Sequence, residues 1–215
     1  MYVIAVNGSP RKSGNTAQIL SAALRGAQDA GANTEMIHLC DLEYRGCISC
    51  FRCKRYGAQP CHCYLNDTLS PVLDKVLHAN VLLLGSPIYF RDVTGQMRSF
   101  LERLGFITLT YDDLERTLFE GHISTVFFYT MNADIRAANT PEYQMIYRQN
   151  LRPLRRLGGN CEYYAIYDTL QFNNYSLYHT KGIDAAHKAE VRARQFPTDL
   201  DAAYRVGFKL TEQKL

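Results

Sequence analysis

Apolar runs of strand length alternate along the chain with stretches whose apolar residues recur at helical spacing. YVIAV (2–6) is the first run. Over 16–31, Ile19, Leu20, Ala23, Leu24 and Ala27 fall on one helical face, and Gly31 is placed to stop the helix. TEMIHL (34–39) predicts a second strand. A helix is expected over 68–79, with Pro71 in its first turn, where a missing N–H is tolerated. VLLLGSP (81–87) is apolar without alternation, as in a parallel strand covered on both faces. A helix over 94–106, a strand over 122–130, a helix over 141–159 and a strand over 161–169 complete the series. Pro141 opens the 141–159 helix, glycines end it, and Pro153 is placed to kink it.

Strictly alternating strands and helices imply one parallel sheet with helices on both faces. The expected fold is α/β: a flavodoxin-like doubly wound fold with a five-stranded parallel sheet. Near the C-terminus, 183–196 is helical and Pro197 is expected to break it. TDLD (198–201) then offers a capping-box variant for a last helix from 199 to about 210. Without internal repeat, linker or low-complexity segment, residues 1–215 read as a single domain. A cysteine-rich loop, 47–63, is inserted after the second strand.

Charge and composition narrow the function. The net charge is only +3 and the basic residues are dispersed, which is not the clustered footprint of a nucleic-acid binder. The start MYVIAVNGSP has no basic n-region, long apolar core or cleavage site, so no signal peptide is expected. No apolar run approaches the ~20 residues of a membrane helix. A cytoplasmic protein is expected, in which clustered cysteines serve metal binding or redox chemistry more often than structural disulfides.

In an open parallel sheet, ligands bind beyond the carboxyl ends of the strands. The first strand runs into NGSPRKSGNT (7–16), and a helix starts straight after it. Unpaired N–H groups and the positive end of the dipole favour an anion there. Ser9, Ser13, Asn15 and Thr16 add donors, and Arg11 and Lys12 add charge. The stretch is neither a P-loop nor G-x-G-x-x-G, so a single terminal phosphate suits it better than a pyrophosphate. A plain helix cap uses the same residue types.

GSPRKSGNT resembles the phosphate loop of the NAD(P)H-dependent FMN reductase family of flavodoxin-like proteins. GSPIYF (85–90), followed by TGQMRSFLERL (94–104), resembles that family's second flavin loop. The resemblance covers roughly residues 1 to 130 well. It implies FMN, with Ser9, Arg11, Ser13, Asn15 and Thr16 around its phosphate and Pro87, Ile88, Tyr89 and Phe90 beside its ring. The third flavin loop is expected at 129–137, with Met131 and Asn132 in contact. For Tyr89 and Phe90 the alternative is plain core packing.

CISCFRCKRYGAQPCHC (47–63) places five cysteines in a short loop. Cys47, Cys50 and Cys53 have C-x2-C-x2-C spacing, a compact way to supply three thiolates of an iron–sulfur cluster. Cys61 or Cys63 would be the fourth. The run resembles the iron–sulfur flavoprotein branch of the same family, which implies a 4Fe–4S cluster. A zinc site, a loop without metal and a disulfide such as Cys53–Cys63 are the competing readings. Cys40 and Cys161 read as small buried hydrophobes, and His62 as an exposed loop residue.

No Ser–His–Asp arrangement or H-E-x-x-H pattern is present, and no catalytic acid or base is assigned, because a flavin carries the chemistry itself. Two functions follow. One is an NAD(P)H-dependent reductase of flavin, quinone or a similar acceptor. The other is an electron carrier between a cluster and FMN. The donor would be a nicotinamide or a protein, and the acceptor a small molecule or a protein. The aromatic stretch TLQFNNYSLYH (169–179) is expected either to meet another subunit or to fold back on its own core. The resemblance implies a homodimer or homotetramer.

Overall fold

The computed structural model describes residues 1–113 and 116–212. Five strands, β1 (Tyr2–Asn7), β2 (Asn33–His38), β3 (Val81–Pro87), β4 (Ile123–Thr130) and β5 (Gly158–Ile166), form one sheet in the order β2-β1-β3-β4-β5. All four pairings are parallel. The order reverses between β1 and β3, which is the switch point where doubly wound folds bind ligands.

The helices are α1 (Asn15–Asp29), α2 (Ser70–Val76), α3 (Gly95–Thr108), α4 (Ile135–Ala138), α5 (Pro141–Leu151) and α6 (Ala185–Glu212). Alternation along each strand divides the core into two layers. Ile4, Val6, Leu82, Leu84, Phe127 and Tyr129 face α2, α3 and α5. Val3, Ala5, Leu83, Val126 and Phe128 face α1 and α6. Both faces of β1 and β3 are therefore covered, as their unbroken apolar runs predict.

Three expectations are corrected. The helix expected over 68–79 is only Ser70–Val76, capped by Asp67, whose carboxylate accepts the N–H groups of Leu69 and Ser70. The helix expected over 141–159 ends at Leu151. Pro153 has no N–H for the ladder, a short 3-10 turn follows, and Gly158 and Gly159 belong to β5. A side chain at Gly159 would put its Cβ 2.4 Å from the Ile123 carbonyl oxygen, so glycine lets the two strands approach.

The third correction concerns Pro197, which lies inside one continuous helix, α6. Asp199 accepts a hydrogen bond from Gln195 within that helix and caps nothing. An interior proline costs ~3 kcal/mol, and packing on α1 offsets it. Phe196, Ala203 and Gly207 are buried against α1. At the crossing, a Cβ on Gly207 would lie 1.8 Å from the Ala23 carbonyl oxygen, and one on Gly26 would lie 2.0 Å from that of Tyr204. Gly207→Ala is therefore expected to destabilise the chain by about 1–3 kcal/mol through overpacking. The check is a lower urea midpoint at unchanged m-value.

Candidate functional site

The loop after β1 is built from the inside. Asn7 is fully buried, and its side chain accepts the Ser9 N–H and pairs with His38. The Ser9 hydroxyl accepts the Arg11 N–H at 3.1 Å. Gly14 precedes α1 with extended backbone, and no side chain caps the helix. Its first-turn N–H groups therefore face the loop without a side-chain partner and without an acidic residue beside them.

Two other loops lock onto this one. The hydroxyl groups of Thr16 and Thr130 lie 2.7 Å apart. The Thr94 hydroxyl donates to the Gly8 carbonyl at 2.7 Å while accepting the Met97 N–H at the start of α3. A Cβ at Gly8 would lie 2.8 Å from the Met97 Cβ, so the close approach needs glycine. The loops after β1, β3 and β4 thus form one continuous rim at the carboxyl edge of the sheet.

The loop after β3 makes a tight turn. The backbones of Tyr89 and Asp92 exchange two hydrogen bonds, at 2.7 and 2.9 Å. Between them Phe90 and Arg91 both have positive φ, 49° and 64°. Two successive left-handed residues define a primed turn, which non-glycine residues adopt at a cost of about 1–3 kcal/mol each. The turn projects its aromatic residues outward: Tyr89 is 45% exposed and Phe90 fully so. Core packing, the alternative for these two, is excluded. Pro87 and Ile88 are half-buried at the base of the turn.

The loop after β4 behaves differently. Met131 is buried in the core, in contact with the Tyr147 hydroxyl, so its side chain points away from the rim. Asn132 is exposed, and its carbonyl accepts from Lys188 at 2.6 Å. Lys188 is buried and also pairs with Asp168, which His187 contacts as well. Burial alone would raise the Asp168 carboxyl, but these hydrogen bonds outweigh it and hold it below the usual range.

The segment after β5 crosses the first loop. Arg11 donates to the Gln171 carbonyl at 2.7 Å, and Asn15 to that of Leu170 at 2.8 Å. Arg192 in turn donates to Asn15 and Gln18. Of the proposed phosphate group, Ser13 is exposed, while Ser9 and Thr16 are buried. In the same segment Tyr175 folds onto the core, but Leu177 and Tyr178 remain exposed.

The cysteine loop packs along α3. Cys47, Cys50, Cys53 and Cys63 line one cavity, closed by Phe51, Tyr64, Arg103, Phe106 and Ile107. Cys61 is buried and does not line it. Positive φ at Ser49 and Phe51, 52° and 56°, turns the chain between the first three cysteines. The cavity packs on the second half of α3. Arg103 stands eight residues beyond Gly95, which puts it ~12 Å along the helix from the rim. The loop leaves β2 at the carboxyl edge of the sheet, but its cysteines are carried down the side of α3.

Among the described residues all seven cysteines are free, and no three Cys, His, Asp or Glu side chains converge on a point that would hold one metal ion. Four cysteines lining one cavity are a donor set of the kind that an iron–sulfur cluster or a structural zinc ion uses. Burial pushes the Cys53 thiol up, and neighbouring Cys63, Cys50 and Cys47 push it the same way, against Lys54.

Further corrections concern neighbouring residues. Cys40 and Cys161 are half-buried rather than buried. His62 is half-buried, held by Asp74 at 3.0 Å and packed edge-on against Tyr64. Arg103 was hidden in the sequence by its charge. It stands at i+3 from Phe100 and i−4 from Ile107, both buried, and that spacing marks it as inward-facing.

The fold and rim define a flavodoxin-like α/β protein with a candidate phosphate loop at its switch point. The chain belongs to the NADPH-dependent FMN reductase family, whose sequence profile matches residues 1–144. An iron-sulfur flavoprotein of Methanocaldococcus jannaschii is 38% identical over 103 residues, 48% of this chain and 51% of that protein. Another from Archaeoglobus fulgidus is 31% identical over 48% of this chain and 46% of its own length. The chain thus spans about half the length of these curated relatives. Among solved structures, an NAD(P)H:quinone oxidoreductase from Methanothermobacter marburgensis superposes with a TM-score of 0.68 at 16% identity, covering 98% of both chains. An FMN-dependent NADH-azoreductase of Bacillus anthracis in complex with FMN gives 0.63 at 13% identity, covering 96% of this chain and 100% of that one. These likenesses show the shared fold. No helix among the described residues is long and apolar enough to cross a membrane.

Proposed function

We propose that this FMN-dependent oxidoreductase relays electrons between a 4Fe–4S cluster, on Cys47, Cys50, Cys53 and Cys63, and an FMN on the rim. The observation that carries this reading is the single cavity lined by those four cysteines and not by Cys61. FMN supplies one- and two-electron chemistry and the cluster one-electron chemistry. The chain's own residues bind and orient. Ser9, Ser13 and Thr16, with the uncapped start of α1, receive the phosphate, and Arg11 and Asn15 tie the 170–171 backbone beside it. The turn at 87–90 would lie beside the ring, where exposed Tyr89 and Phe90 would supply aromatic faces. Asn132 holds the third loop through Lys188. Met131 supports that loop from the core.

A second reading, an NAD(P)H-dependent reductase of flavin, quinone or a similar acceptor, is favoured by the exposure of that turn, where a nicotinamide could approach a flavin that Tyr89 and Phe90 would flank. In both readings the chain is a homo-oligomer, a dimer or tetramer, with exposed Leu177 and Tyr178 as contact candidates, and works in the cytoplasm. The test is anaerobic reconstitution followed by flavin, iron and sulfide assays. One FMN and about four irons per chain, with NADH and NADPH leaving the flavin oxidised, support the relay. Rapid flavin bleaching by a nicotinamide without bound iron overturns it in favour of the reductase.

A further inference from the structure

Arg103 is the largest fully buried charged side chain among the described residues, with its side chain only 1% exposed. A guanidinium has five N–H donors in a fixed planar fork, and all five are used here. One terminal nitrogen donates to Asp67 at 2.7 Å and to the Arg45 carbonyl at 3.1 Å. The other donates to Asp67 at 3.1 Å and to the Ser70 hydroxyl at 2.9 Å. These four bonds fasten α3 to the start of α2 and would suffice for a scaffold. The fifth donor, Nε–H, points the other way, to the Cys63 sulfur at 3.1 Å.

We propose that Arg103 tunes the reduction potential of the cluster by donating a hydrogen bond from Nε to the Cys63 sulfur. The proposal rests on the cluster reading given above. A donor aimed at a ligand sulfur favours the form with more negative charge, which is the one-electron-reduced cluster, and so raises its potential. Burial strengthens the effect, because little water screens the pair. Asp67 already neutralises the guanidinium charge, so the Nε–H is a directed dipole rather than a loose cation. Lys54 also lies beside the cysteines, but it donates to the carbonyl groups of Ile107 and Leu109 and is held by backbone, while the Arg52 guanidinium stacks over Tyr64. The sulfur contact is therefore assigned to Arg103.

The test uses the anaerobically reconstituted full chain. Arg103→Lys keeps a cation near Asp67 but loses the fork. Arg103→Met combined with Asp67→Asn removes both charges, so that no unpaired buried carboxylate unfolds the protein. The cluster potential is read by electron paramagnetic resonance during titration with dithionite and mediators. The FMN potential in the same sample is the internal control. At fixed ambient potential, the reduced-to-oxidised ratio of the cluster is expected to fall about tenfold, roughly 59 mV for one electron, with the FMN couple unmoved. An unchanged cluster couple in a variant that keeps its iron overturns the proposal alone. Loss of the cluster from both variants with FMN retained also overturns it, leaving Arg103 a scaffold residue. A parent chain that takes up no iron overturns the cluster reading itself, and this proposal with it.

Discussion

Ser13→Glu is expected to strip the flavin. Ser13 is exposed in the loop that precedes α1, so the longer side chain fits without disturbing the core. It would place a carboxylate among donors that otherwise face an anion. Two like unit charges about 4 Å apart repel by about 4 kcal/mol at the effective dielectric of a protein surface. That corresponds to about three orders of magnitude in Kd. Thr16, by contrast, is a poor place for this test. Its hydroxyl is bonded to Thr130, and its methyl lies 2.8 Å from where a Gly85 Cβ would stand, so a larger side chain there would disturb the sheet as well. The measurement is flavin content after gel filtration, with a fluorescence titration for Kd and a circular-dichroism melt to show that the fold is intact. A folded Ser13→Glu chain that remains yellow at full stoichiometry would remove the phosphate from this loop.

The elements that set the sheet could be read from the sequence because each carries its own local signal. β1 and β3 are apolar runs buried on both faces, and both run into turn-forming sequence at the carboxyl edge of the sheet. α6 could not be read in that way. Pro197 is a local stop signal, but the Gly26–Gly207 crossing that overrides it joins residues far apart in the chain. The rim shows the same division. Its donors are legible in NGSPRKSGNT, yet the tie from Arg11 and Asn15 to the 170–171 backbone is a long-range contact with no sequence pattern behind it. The Asp168–Lys188 pair under the third loop is equally silent. Met131 was placed by its position after a strand, and the side chain turned inward because Tyr147 and its neighbours form a core layer there. The choice between Cys61 and Cys63 depends on the path of a loop stabilised by Arg103 and Asp67, and spacing alone carries no trace of either.

Cys63→Ala is expected to abolish cluster assembly, and Cys61→Ala to leave it intact. The two residues are separated by one position, but the chain turns between them. Cys61 has φ of 57°, in the left-handed region, and its side chain is buried away from the cavity. Cys63 lines the cavity with Cys47, Cys50 and Cys53, and the Arg103 Nε–H holds its sulfur in place. Removing one of four thiolates leaves an iron corner without its protein ligand, and a ligand set that binds only when complete fails as a unit. Iron content in Cys63→Ala is therefore expected to fall to under about a tenth of the parent. Cys61→Ala loses only a small buried side chain, at a cost of about 1 kcal/mol in stability, and retains the parent's iron, sulfide and visible spectrum. FMN stoichiometry should be unchanged in both, since the cavity lies ~12 Å down α3 from the rim. If Cys61→Ala loses the iron while Cys63→Ala keeps it, the loop must refold around the cluster and the ligand assignment passes to Cys61. If both keep it, the three residues Cys47, Cys50 and Cys53 hold the metal with a fourth ligand from outside this loop.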